Sequence, residues 1–584
     1  MEKLITRKEN KSISLAYGSV KKNKHKYPNI ILIVIDALRA RNLGCYGGDR
    51  ESSPNIDKIA DKGVLFENVY CSWNTTDQSL TSILSGRYPR THGIVHHGDK
   101  IKSEDLNAFE TLNVRLLSQI LQENGYETLA VDWMTRWFKR GFDYYGYNPE
   151  RNLLSKLNYY IFTLPYVHSK YIAAHLGVLR IYSKKRGLTI ASLWKGFKDV
   201  FRTFLFTFEL ARVQDACFVT GLAEELIKKS RKEKFFLFLH YWDTHTPYNC
   251  PRNFLEKKKG HMNPKEVLLS KYRGAVRYVD QQIGRLFDVL REERVLEDTL
   301  IIITSDHGES LTEHDIFFDH HGLYDVTTHV PLILYYPKSF PEPKRVKGLI
   351  QHIDLAPTLY ELLNIKYKDY ELDGASLMPL IRGEKSEIRR HVFNEESYVQ
   401  RKIGFRTKKF KYIFSLDGVG MCNYCQQVHG GEEELYNLET DPEEMVNIAV
   451  ERKIIADEMK KGLDDLIKSL NSKKQKEFIR GGIFRLKERG RLYDDCLVRR
   501  EFSDMKNKRN KKKPTKKEKV ALELSEEIMK EIKRRIEDTE FQSSEEYLSY
   551  IIHEILKGSS SGYVQNSKEE KKIKKKLRSL GYMD

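Results

Sequence analysis

The chain of 584 residues lacks any apolar run of ~18 residues or more, so a membrane-spanning helix is not expected. Its charged start also lacks the apolar stretch of a secretory signal. Proline and glycine are sparse, at 16 and 35 residues, which excludes a collagenous or proline-rich disordered chain. Cysteine is scarcer still. Seven thiols, an odd number in so long a chain, do not make a disulfide framework, so reduced thiols and a cytoplasmic location are expected. Charge of one sign is in excess, at +18, but it is concentrated. Lys506–Lys519 carries nine Lys/Arg against one acid, and the rest of the excess is spread thinly. A solvated linker fits that run better than a polyanion-binding arm, and nucleic acid is not the expected partner. What is present is core-forming material: 40% hydrophobic residues, with 33 Tyr and 27 Phe. At roughly 150 residues per domain the length admits up to about four units.

Continuous β-branched and apolar runs at Asn29–Ile35, Tyr126–Val131, Phe235–Leu239, Leu300–Ile303 and Pro331–Tyr335 suit strands buried on both faces. Helical patterns at Ser53–Lys62, Asn113–Asn124, Ala216–Lys229 and Lys271–Glu292 alternate with them. That order predicts an α/β fold, a mostly parallel central sheet sandwiched by helices. Residues 1–27 read as a basic arm and residues 28–390 as the main domain. Within it, 151–212 is an aromatic and basic helical insertion. Residues 193–210 could lie as an amphipathic helix on a membrane surface, although a flap packed on the core fits better. Residues 391–500 read as a smaller α+β C-terminal domain, with strands in His391–Phe414 and Glu434–Leu438 and a helix near Ile454–Leu470. A basic linker (501–519), a small strand–helix–helix module (520–558) and a basic tail (559–584) follow.

In such sheets ligands bind beyond the carboxyl ends of the strands. The first strand ends in Asp36, the Leu300 strand in Ser305, Asp306, His307, Gly308 and Glu309, and the Phe235 strand runs into His240, Asp243 and His245. Carboxylates and imidazoles gathered at one edge suit a divalent cation, which neutralises carboxylates that would otherwise repel one another.

These segments resemble the sulfatase family of the alkaline phosphatase superfamily. The resemblance rests on Asn29–Asp36 with Arg39 and Tyr46, on Ser53–Phe66, on Leu84–Gly93 and on Ser305–Glu309. It extends through His329–Ile333, Asp354–Leu359, Asp373–Leu377 and Glu434–Asn447, over roughly residues 28 to 470. It implies that family's sheet and one divalent ion (Mn, Ca, Mg or Zn) held by Asp36, Asp306 and His307 together with Thr76. The family's nucleophile position, ten residues before Gly86, is Thr76. Many members carry there a Cys or Ser that is oxidised to formylglycine, a route closed to threonine. Cys71 is five residues too early, Leu80 replaces the usual arginine, Ala37 replaces the second acid of an Asp-Asp pair, and the Lys-x-His of the next strand is missing from Asp132–Arg140. A threonine nucleophile is similar to the branch containing phosphodiesterases, phosphonate ester hydrolases and phosphoglycerol transferases. The implied reaction is cleavage of a phosphate or sulfate ester on a small molecule, glycan or lipid through a covalent Thr76 intermediate. His245 and either His320 or His321 align with residues that touch the ester or protonate the leaving oxygen. Arg39 would hold the nucleophile loop or a carboxylate.

Two rivals stand beside this reading: a sulfuric ester hydrolase working without formylglycine, and a non-catalytic scaffold or nucleic-acid-binding protein that keeps the fold. Two other motifs stand in the sequence. Cys422, Cys425 and His429 have partial zinc-knuckle spacing but show only three ligands. The 520–558 module resembles a ribbon-helix-helix unit and would serve homodimerisation, because its strand offers no Arg or Asn for base contacts.

Overall fold

The computed structural model describes residues 27–489 except 135, 147–214, 231–233, 247, 249, 257–261, 368–369, 398 and 419–427. The N-terminal arm, the insertion at 151–212, the stretch 193–210, Cys422, Cys425 and the segments beyond 489 lie outside the described residues.

The large sheet is built from β1 (Asn29–Ile35), β2 (Val64–Tyr70), β3 (Glu127–Val131), β4 (Tyr144–Gly146), β5 (Phe235–Tyr241), β6 (Thr299–Thr304), β7 (His329–Val330), β8 (Leu332–Tyr335) and β9 (Lys344–Gln351). Its order is β4-β3-β5-β1-β6-β8-β2-β7, with β9 paired to β2. From β4 to β6 every pairing is parallel. β8 then runs antiparallel to both β6 and β2. Every residue of β1, β5 and β6 is buried. This is why those strands read as unbroken apolar runs: helices cover both of their faces. Ile30, Leu32 and Val34 belong to one core and Ile31, Ile33 and Ile35 to the other. The second core is closed by helices Ala216–Lys229 and Pro264–Glu292. The longer helix starts at a reciprocal cap, in which the Asn263 side chain accepts from the Glu266 N–H and the Glu266 side chain from the Asn263 N–H.

A second, antiparallel sheet comprises β10 (Val392–Glu396), β11 (Lys402–Arg406), β12 (Phe410–Ser415) and β13 (Glu433–Asn437). Ala456, Met459, Leu463 and Ile467 of helix Lys453–Arg489 pack against Phe393, Ile403, Phe405 and Tyr412 of this sheet. The spacing is that of one helical face. The α/β class with a smaller C-terminal domain, as expected from the sequence, is the architecture observed. Among the described residues no helix is long and apolar enough to cross a membrane.

Candidate active site

β1 lies between β5 and β6, with Val34 opposite both His240 and Thr304. That register delivers Asp36, just past β1, beside Asp306 and His307, just past β6. Thr76 arrives as the first residue of helix Thr76–Ser85, all of whose residues are buried. Its Oγ1 is 3.5 Å from Asp36 Oδ2 and 3.4 Å from His307 Nε2. His307 Nε2 is in turn 3.8 Å from Asp36 Oδ1 and 3.4 Å from Asp306 Oδ2.

These residues fit a metal ion. Asp36, Asp306 and His307 form a buried cluster able to hold one. Atoms bound to one ion at about 2.0–2.3 Å stand roughly 3–4 Å apart, the range of the four separations just given, and the ligand atoms of Asp36, Asp306 and His307 all lie within 4.8 Å of one another. Asp36 Oδ1 and Asp306 Oδ2 are buried without hydrogen-bond partners, a costly state that a cation relieves. The other Asp306 oxygen accepts from the N–H groups of Ala37 (3.1 Å) and His307 (2.8 Å), which fixes its orientation. His307 Nδ1 faces the Gly308 carbonyl at 2.9 Å, which assigns the proton there and leaves the Nε2 lone pair toward the cluster. Burial pulls His307 down to about 4, so its ring is neutral, the form that ligates. Ala37 has φ +55°, a left-handed conformation that turns the chain sharply after Asp36.

Two further imidazoles border the cluster. The His320 ring lies 4.5 Å from that of His307 and 5.7 Å from that of His245. His320 Nδ1 donates to the Asn74 carbonyl at 2.7 Å, and burial together with His307 holds the ring well below its usual range. For His245, burial works against the charged form, but Asp36 and Glu309 outweigh it and raise the group. Its ring stacks on Trp242 at 4.8 Å, and Trp133 meets Trp242 edge-on. His321 turns away: its Nδ1 is 3.2 Å from Asp319 and its ring 5.1 Å from that of His429. Arg39 pairs with a carboxylate, Glu313, at 2.8 Å. Asp243 accepts from the Ala216 N–H at 3.2 Å, away from His245, whose Nδ1 faces the Thr246 carbonyl. Cys71 is fully buried, and burial pushes its thiol up.

Asp132, Asp77 and His97 carry no role in the sequence, and His240 stands there only as one of the imidazoles gathered at the sheet edge. His240 stands 3.5 Å from Asp36 and 3.0 Å from Asp132. Burial opposes its charge, but the two carboxylates push it up to about 10. Asp77 accepts from the Gly98 N–H and lies 2.8 Å from His97 Nδ1, tying that loop to the helix of Thr76. Asp132 sits at a strand end, where the rule applied to Asp36 would have found it.

A hydroxyl, a cation-ready cluster and imidazoles at the carboxyl edge of an α/β sheet define a class, the hydrolases of sulfuric or phosphoric esters. The chain belongs to the sulfatase family: the model described as Sulfatase matches residues 28–365, and the one described as N-sulphoglucosamine sulphohydrolase, C-terminal, matches residues 312–473. An N-acetylglucosamine-6-O-sulfatase of Bacteroides thetaiotaomicron is 24% identical over 75% of this chain and 85% of its own. An arylsulfatase of Clostridium perfringens is 25% identical over 76% and 93%. Among solved structures, a phosphonate monoester hydrolase of Agrobacterium radiobacter shares the fold with TM-score 0.53 and 18% identity, over 77% of this chain and 96% of that one. A 2-O GAG sulfatase does so with TM-score 0.55 and 20% identity, over 76% and 93%.

Proposed function

We propose that this sulfatase-family hydrolase cleaves a phosphate mono- or diester through a covalent intermediate on Thr76. The observation that carries the reading is the placement of Thr76 Oγ1 within 3.5 Å of both Asp36 and His307, at the amino end of a ten-residue helix. Asp36, Asp306 and His307, with the Thr76 hydroxyl, would hold one divalent ion. Bound there, the ion lowers the pKa of a hydroxyl and neutralises charge on the group transferred.

Thr76 Oγ gives its hydroxyl proton to solvent and attacks phosphorus, and the bond to the leaving oxygen breaks; the Thr76 oxygen regains a proton from solvent when water later releases it. The positive end of the helix faces the charge that gathers on the phosphoryl oxygens. His245 is the proton donor to the leaving oxygen, because the carboxylates around it favour its charged form and its Nδ1 is committed to a carbonyl. His320, kept neutral, takes the proton of the water that then attacks phosphorus and releases Thr76. His320 rather than His321 has this role, because only the His320 ring borders His307 and His245. Trp242, stacked on His245, and Trp133, edge-on to Trp242, would shape the space for the alcohol portion.

The second reading is sulfate ester hydrolysis by the same groups, favoured by the sulfatase names of the curated relatives. Nitrophenyl phosphate diester, monoester and sulfate, assayed side by side, separate the two, and dominant sulfate turnover reverses the preference. Mass spectrometry of enzyme quenched during turnover is expected to show the adduct on Thr76 in the wild type and none in Thr76→Ala. An adduct elsewhere, or full activity in Thr76→Ala, ends the proposal.

A further inference from the structure

Beyond the four groups of the cluster, the sheet carries a second row of polar side chains that the reaction scheme does not use. In β5, Phe236 and Phe238 point into one core, and by strand alternation His240 continues that face. The same face of β1 carries Leu32 and Val34 and continues to Asp36. In β3 it carries Ala130 and continues to Asp132. Val131 pairs with Leu239, so the next residues along, Asp132 and His240, are opposite one another. In β4, Tyr145 pairs with Ala130. Tyr145, Asp132, His240 and Asp36 thus form a line across four adjacent strands, on a face that is otherwise mostly apolar.

The line is connected. The Tyr145 hydroxyl donates to Asp132 Oδ2. Asp132 Oδ1 receives His240 Nδ1 at 3.0 Å, and His240 Nε2 stands 3.5 Å from Asp36 Oδ2, an ion-pair distance without hydrogen-bond geometry. The side chains of Asp132, His240 and Asp36 are wholly buried. A buried imidazole in an apolar row destabilises the fold unless both nitrogens are satisfied, so its presence needs a reason other than packing. His240 does not join the cluster that could hold the ion, which contains Asp36, Asp306 and His307 alone. It stands behind Asp36.

We propose that the Tyr145–Asp132–His240 line is an outer support that orients Asp36 for metal binding, with His240 as the positioning residue. The inference rests on the metal-holding role proposed above for Asp36. Asp132 fixes the plane of the imidazole through Nδ1, which aims Nε2 at Asp36 Oδ2. With that oxygen steadied, the carboxylate keeps one orientation toward Asp306 and His307 before the ion arrives. Supports of this kind typically change metal affinity by about 10- to 100-fold.

Two substitutions of equal polarity separate the contact with Asp36 from mere filling of space. In His240→Gln the amide nitrogen falls near the place of Nε2 and keeps the donor toward Asp36. In His240→Asn it falls near the place of Nδ1 and keeps only Asp132. Metal-stripped full-length proteins are titrated with Mn2+ alone by calorimetry, alongside apo-protein melting curves. The expected result is Mn2+ binding about 10- to 100-fold weaker in His240→Asn, with His240→Gln closer to the wild type. Equal, wild-type affinity in both variants, or weaker binding in Gln than in Asn, overturns the inference while leaving the cluster intact. A wild type that binds no Mn2+ removes the reading beneath it instead. Should either His240 variant fail to fold, Asp132→Asn, which keeps the side-chain volume, is expected to weaken Mn2+ binding in the same direction. Unchanged affinity there overturns the proposal equally.

Discussion

His245 shows most directly how single side chains divide the work. Its neighbours Asp36 and Glu309 outweigh the effect of burial and raise it from its ordinary value, which favours the charged ring that the proposed acid needs. The sign follows: turnover that needs the charged ring declines as pH rises through the raised value. His245→Ala should lower kcat by about 100- to 10,000-fold and remove that alkaline decline. A pH–rate series on a nitrophenyl ester whose leaving group needs a proton checks it, and an unchanged alkaline limb counts against the assignment. Gly308 is a second residue whose identity is dictated by contact. A Cβ there would meet the Val326 carbonyl oxygen at 2.3 Å. Gly308→Ala must therefore shift the turn that carries Asp306 and His307, at about 1–3 kcal/mol of stability. Loss of bound metal in elemental analysis should accompany it. Asp36, Thr76, Asp306 and His307 were legible in the sequence because strand ends and family motifs mark them one at a time. His240 and Asp132 also lie at strand ends, but their contact with each other and with Asp36 depends on strand register, which no local pattern states.

Strands β1, β5 and β6 bring these residues together, and their burial on both faces makes them sensitive to lost volume. Leu32, 1% exposed at the centre of β1, packs into the core that also holds Phe66, Phe238 and Ile302. Leu32→Ala should cost about 2–5 kcal/mol. The check is a denaturant midpoint that falls while the slope stays constant. The same elements show what could be read in advance. The apolar runs of β1, β3, β5, β6 and β8 announced strands, since helices on both sides demand hydrophobic residues on both faces. The antiparallel direction of β8 was not visible, because a short buried strand reads alike in either direction. Helix Thr76–Ser85 escaped for the opposite reason to most helices. It is buried all round yet rich in Thr, Ser, Asp and Gln, so it has no apolar stripe to reveal its period. Its polar side chains bond inward instead, as when Ser79 Oγ donates to the Asp306 carbonyl at 2.6 Å and Thr81 accepts from Trp137 Nε1 at 2.9 Å. β9 was missed because its exposed first half alternates with charged residues.

Across the whole molecule, buried ionisable groups link the two sheets and make stability depend on pH in opposing ways. Lys411 of β12 pairs with Asp325 and Glu444 at 2.8 Å each, and Arg406 of β11 also reaches Asp325, which joins the small sheet to the short helix Asp325–Thr328 before β7. Burial raises the Glu444 and Glu309 carboxyls, Glu309 to about 7. A carboxyl raised in the fold binds a proton that the unfolded chain releases, so these groups add stability as pH falls from about 7 toward the unfolded value. Buried histidines act the other way. His92, whose Nδ1 accepts from the Ile94 N–H at 3.2 Å, is pulled down by burial to about 3. Below pH 6.5 the unfolded chain takes up a proton that the folded ring refuses, and stability is lost until the folded value is reached. Between pH 7.5 and 5 this loss is about 2 kcal/mol for such a group. Because the carboxyls offset it, the wild-type profile alone does not reveal it, but a difference between two proteins does. His92→Gln keeps polar atoms near Ser82 and cannot titrate. Whatever the substitution costs at pH 7.5, the variant should close on the wild type by about 2 kcal/mol at pH 5 in metal-free denaturant titrations. A constant gap at both pH values would mean that His92 takes up its proton in the fold, and that burial does not keep it neutral.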